Sequence, residues 1–133
     1  MVESHVWSER LDLGHEAMDH EHHLQIALVC AIADAIEQGR PWMARRLADQ
    51  LATYSEVHFG SEELLMEAIG FREGATHSGE HEALRGRMRE IVSLLQDEQT
   101  DSALTAALEL REQIAGHVAT ADRRLAEETA AGR

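Results

Sequence analysis

Cysteine appears once, at Cys30, so no disulfide can close within the chain. A disulfide-stapled scaffold is excluded, and a reducing compartment is the simple expectation. Proline also appears once, and aromatic residues make up only 4% of the sequence. Ala, Leu and Glu are plentiful instead, which favours helix over sheet. Basic residues are in the minority, with 12 Lys and Arg against 25 Asp and Glu and a formal net charge of −13. Such a surface repels nucleic acid and anionic membranes, so neither is expected as a partner. Most of this charge reads as a solvated face. No apolar run is long enough to span a bilayer. The opening residues MVESHVWSERLDLG lack the apolar segment of a secretory signal. A cytoplasmic protein is expected.

What the chain does have is histidine, nine of them in 133 residues. The length suits a single domain over 1–133. Apolar periodicity and punctuation predict an N-terminal arm over 1–18 and helices over about 19–38, 41–67, 75–96 and 101–127. Gly39 closes the first helix and Pro41 suits the first turn of the second. Asp19 is expected to cap the first helix, and Thr100 or Asp101 the last. Short connections between four amphipathic helices predict an all-α, antiparallel up-down four-helix bundle. The odd feature is chemical: every helix places His on or beside the stripe that should face the core. Buried ionisable groups need partners or metal ions.

Two pairs stand at i, i+4, His58 with Glu62 and His77 with His81, so each pair shares one helix face. His117 and Asp122 stand at i, i+5, which an ideal helix separates by about 140°. A shared site there needs a local widening such as a π-bulge. His22 adds a further candidate from the first helix. A lone histidine is usually a hydrogen-bonded core or surface residue, but seven candidates on the inner stripes of four helices point to metal. No Glu is followed by His three residues later, so the ferritin-type pattern is missing. His77 is followed by Ser78, so the zincin pattern fails, and one cysteine cannot build a thiolate zinc site. His5, His15, His20 and His23 match no ligand position and read as surface residues. Glu63 reads as solvated or as lying just outside the ligand set. Trp7 and Trp42 read as packing residues, and Cys30 as an inert, partly buried thiol.

The run Trp7, Gly14, Asp19, His22 resembles the lead-in segment of bacterial hemerythrins. His58-Phe59-Gly60-Ser61-Glu62-Glu63, then Met66, Gly70 and Phe71, resembles their central motif. His77-Ser78-Gly79-Glu80-His81 and His117 with Asp122 complete the likeness, over roughly residues 7 to 125. The resemblance implies a non-haem di-iron centre. His77, His81 and His117 would hold one iron, His22 and His58 the other. Glu62 and Asp122 would bridge them, with an oxo or hydroxo bridge between. The second iron then keeps an open position, and open positions are where metals do chemistry. Gln25, Phe59, Gln113, Ile114 and Val118 would line the oxygen pocket. Three departures stand out: Arg72 where the family usually has Pro, which should loosen that connection, Gln113 where it has Trp, and Gln25 where it has an apolar residue.

The resemblance implies reversible dioxygen binding, as carrier, store or delivery partner for an oxidase, and no enzyme activity. An oxygen or redox sensor acting through a signalling partner is the second reading. Peroxide or nitric oxide chemistry at the same irons is the third, and a metal-free structural bundle the fourth.

Overall fold

A computed structural model describes residues 11–131 of the chain. Four long helices follow one another: α1 (Glu16–Glu37), α2 (Pro41–Ile69), α3 (Gly74–Gln96) and α4 (Thr100–His117). The last runs through a π-helical turn, Val118–Asp122, into α5 (Arg123–Ala131). No strand occurs among the described residues. The all-α bundle expected from the sequence is therefore observed. Trp7 and His5 lie outside the described residues.

The helix ends show where local chemistry departs from the expected caps. α1 begins at Glu16 because the His15 ring, not Asp19, takes the cap position and accepts the Met18 N–H at 3.3 Å. Asp19 instead accepts the Leu13 N–H at 2.9 Å and ties the lead-in segment to the helix. Gln99 precedes α4 with no side-chain cap bond, so neither Thr100 nor Asp101 caps it. Gly39 and Gly70 adopt φ of 70° and 64°, the left-handed conformation that ends a helix without a Cβ clash. The α2–α3 connection, which contains Arg72, is braced by two backbone hydrogen bonds. Phe71 N–H bonds the Met66 carbonyl at 2.9 Å and Gly74 N–H bonds the Phe71 carbonyl at 3.1 Å.

Each helix packs on its neighbours in sequence, and α1 also packs on α4, closing the ring. Cross-helix bonds fix the directions. His22 meets Glu62 while Gln25 meets Ser55, so residue numbers rise on α1 as they fall on α2. Glu63–His81 with Glu56–Arg85, and Glu80–His117 with Arg87–Gln113, show the same for the next two pairs. The bundle is up-down and antiparallel.

Apolar burial comes in two parts. The large cluster includes Ile26, Val29, Leu51, Phe59, Leu84, Ile91, Leu110 and Ile114. A smaller one joins Met18, Met66, Leu125 and Ala126 at the α5 end. Each large side chain removed from water contributes about 1.5–3 kcal/mol. Met18 lies four residues before His22, Met66 four after Glu62 and Leu125 three after Asp122, so the small cluster plugs the bundle beyond a polar layer. Cys30 is wholly buried, more than expected. Trp42 is half exposed, so it is not the packing residue the sequence suggested. His20 and His23 are exposed, as expected.

Candidate metal centre

That polar layer contains His22, His58, Glu62, His77, His81, His117 and Asp122, all buried. Helical spacing delivers them. The i, i+4 pairs point inward from α2 and α3, and α1 supplies His22. The π-helical turn occupies the segment between His117 and Asp122. Its wider turn brings an i, i+5 pair to one face, as the spacing required.

The two carboxylates divide their oxygens. Glu62 Oε1 lies 3.1 Å from His77 Nε2 and 2.9 Å from His81 Nε2. Its Oε2 lies 3.1 Å from His58 Nε2 and 3.4 Å from His22 Nε2. Asp122 Oδ1 lies 2.9 Å from His77 Nε2 and 3.1 Å from His117 Nε2, while Oδ2 lies 2.9 Å from His22 Nε2. Each carboxylate thus turns one oxygen toward a three-histidine set and the other toward a two-histidine set. Donor atoms converge within 4.8 Å in two overlapping groups, Glu62, His77, His81, His117, Asp122 and His22, His58, Glu62, Asp122.

Glu62 makes hydrogen bonds to His22, His77 and His81, but Asp122 does not pair in this way. Both Asp122 oxygens and His117 Nε2 are buried without a hydrogen-bond partner, although nitrogen and oxygen are within 3.1 Å. Unpartnered Asp122 oxygens facing three imidazoles suit a cation held between them. Electrostatics agree. Burial lowers the His22 pKa, but its contacts with Asp122 and Glu62 outweigh this and raise it to about 9. His77 reaches about 9 by the same balance. Burial raises the carboxyl pKa values, yet the facing imidazoles hold both Glu62 and Asp122 well below the ordinary range. The raised imidazole and lowered carboxyl values favour charge pairing across the cluster when no metal is bound. The cluster is able to bind metal.

The chain belongs to the hemerythrin family. The family model described as Hemerythrin HHE cation binding domain matches residues 13–128. Bacteriohemerythrin of Ralstonia nicotianae is 33% identical over 117 residues, covering 88% of this chain and 82% of that protein. Bacteriohemerythrin of Pseudomonas paraeruginosa is 30% identical over 86 residues, covering 64% of this chain and 56% of that protein. No solved structure matches the chain significantly.

Within this hemerythrin-family site, an outer set of carboxylates orients the imidazoles. Nδ1 of His58 donates to Glu21 at 2.6 Å, that of His81 to Glu63 at 2.9 Å, and that of His117 to Glu80 at 2.7 Å. With Nδ1 protonated, Nε2 carries the lone pair that faces the cluster. Each acid reaches from one helix to the histidine of the next. Sequence reasoning placed only Glu63 near the site. The missed signal is adjacency: Glu21 precedes His22, Glu63 follows Glu62 and Glu80 precedes His81. Arg85, also missed, pairs with Glu63 at 3.5 Å and lies 5.2 Å over the Phe59 ring.

Of the five expected pocket residues, Gln25, Phe59, Ile114 and Val118 are buried. Phe59 stacks on His81 with ring centroids 4.3 Å apart. Gln113 is a correction: it is exposed, and its Oε1 accepts from Arg87 at 3.3 Å. His117 already sits at the margin of the buried stripe, and stepping back four residues rotates about 40° further toward solvent.

Proposed function

We propose that this chain binds dioxygen reversibly at a di-iron centre in one bundle domain over 1–133, as a cytoplasmic oxygen carrier, store or delivery protein and not as an enzyme. His77, His81 and His117 would hold one iron, His22 and His58 the other, with Glu62 and Asp122 shared. The observation that carries this reading is the split of each carboxylate between a three-histidine and a two-histidine set. Two overlapping donor groups ask for two ions, and sharing both carboxylates limits the net charge left in the core.

The group with two histidines has one donor fewer than the other, which leaves room for an exogenous ligand. A pair of irons supplies the electrons that make dioxygen binding possible and reversible. The protein's own part is positional. Glu21, Glu63 and Glu80 fix the rings of His58, His81 and His117. Phe59, Ile114 and Val118 keep water out. Delivery implies a partner such as an oxidase.

Anaerobic reduction followed by oxygenation tests the function. A visible absorption band should appear with oxygen and vanish under argon through repeated cycles. Irreversible bleaching on first exposure, or no spectral change in the iron-loaded protein, contradicts it.

A further inference from the structure

Gln25 and Ser55 are buried at 2% and 1% exposure, against a core cluster that is otherwise apolar. Gln25 lies three residues after His22 on α1, and Ser55 three before His58 on α2. The Gln25 Nε2 donates to Ser55 Oγ at 2.9 Å. Because α1 and α2 are antiparallel, this pair forms a polar rung about 4.5 Å along the axis from the His22–His58 rung. Glu62 lies four residues beyond His58 in the opposite direction. The rung therefore borders the two-histidine side of the centre.

Its donors are not all used. A primary amide carries two N–H donors and a serine hydroxyl one more. One is consumed between them. In either orientation of the amide, two donor hydrogens remain beyond the one that joins the pair. Two polar side chains buried here cost more than apolar ones that would fill the same space. These donors lie about one helical turn from His22 and His58, two members of the group that is one metal donor short.

We infer that Gln25 and Ser55 form a hydrogen-bond donor pair for a small anion taken up on the His22–His58 side. This assignment rests on the di-iron reading. Phe59, Ile114 and Val118 are buried and apolar and supply no competing side-chain donor.

Azide is the probe, titrated into the iron-loaded ferric protein and followed by its visible charge-transfer band. Iron content is measured on every sample. Gln25→Leu removes both amide donors at similar volume, and Ser55→Ala removes the hydroxyl. Gln25→Leu should weaken azide about tenfold or more, Ser55→Ala by a smaller factor in the same direction, both with iron retained. The bound-azide stretch should shift in D2O for the native protein and shift less for Gln25→Leu. Should Gln25→Leu fail to fold, Ser55→Ala and the D2O shift carry the test. Unchanged azide affinity at full iron content, or no D2O shift in the native protein, overturns the donor role while the di-iron reading stands. A native protein that takes up no iron overturns both.

Discussion

Asp122 is wholly buried and faces three imidazoles, yet accepts no well-formed hydrogen bond. In the metal-free protein this arrangement is held by protons, and that fixes its pH dependence. His22 and His77, raised to about 9, stabilise the fold fully below their ordinary value of 6.5 and lose that contribution as pH rises through 9. Glu62 and Asp122, lowered, stabilise above the ordinary carboxylate range and lose it as pH falls below that range. The metal-free protein should therefore melt highest between about pH 5 and 6.5. Its melting temperature should fall by several degrees toward pH 9, a loss of a few kcal/mol. Metal affinity should move the other way, since ligands must be deprotonated to bind. Calorimetry of chelator-treated protein across this range checks the sign. A melting temperature that climbs steadily from pH 6.5 to 9 would contradict the proton-held cluster.

Among the helices, the outer acids form a sequence of reaches: α1 to α2 through Glu21–His58, α2 to α3 through Glu63–His81, α3 to α4 through Glu80–His117. Each acid fixes a ring on the neighbouring helix, so helix packing and ligand orientation are coupled. Replacing one, as in Glu80→Gln, keeps the size but weakens the bond to Nδ1. Such changes should lower metal affinity about 10–100-fold while leaving helix content intact. Competition with a chromogenic chelator measures this, and unaltered affinity in Glu21→Gln, Glu63→Gln and Glu80→Gln alike would falsify the orienting role. The π-helical turn had a sequence signal, because His117 and Asp122 on one face demand it. The outer acids had a weaker one, adjacency to inward positions, since which neighbour a flanking acid reaches depends on how the helices rotate against each other. Gln113 failed for the same reason: counting by four places a residue near a stripe but not inside it. Trp42 and the caps of α1 and α4 were missed because local exposure and turn geometry are not periodic signals.

At the scale of the molecule, the bundle is two apolar clusters separated by a layer of seven ionisable side chains. The fold was legible because amphipathic periodicity and short connections leave few alternatives to an antiparallel ring. The layer was legible because its residues break that periodicity chemically without breaking its spacing. A layer like this cannot pack as hydrocarbon, so its stability depends on what neutralises it. Metal binding should raise the melting temperature markedly, since ions that bind the folded state alone stabilise it by mass action. Chelator should reverse the gain, and equal melting with and without metal would contradict the assigned role of the layer.

The most direct test of the central claim is metal stoichiometry in protein produced with iron available, by elemental analysis against chain concentration. The precaution matters because zinc can replace iron on affinity alone. The split carboxylates and the two overlapping donor groups predict two irons per chain, lost together when Glu62→Ala or Asp122→Ala removes a shared ligand. One metal per chain, or full occupancy by zinc despite available iron, would contradict it.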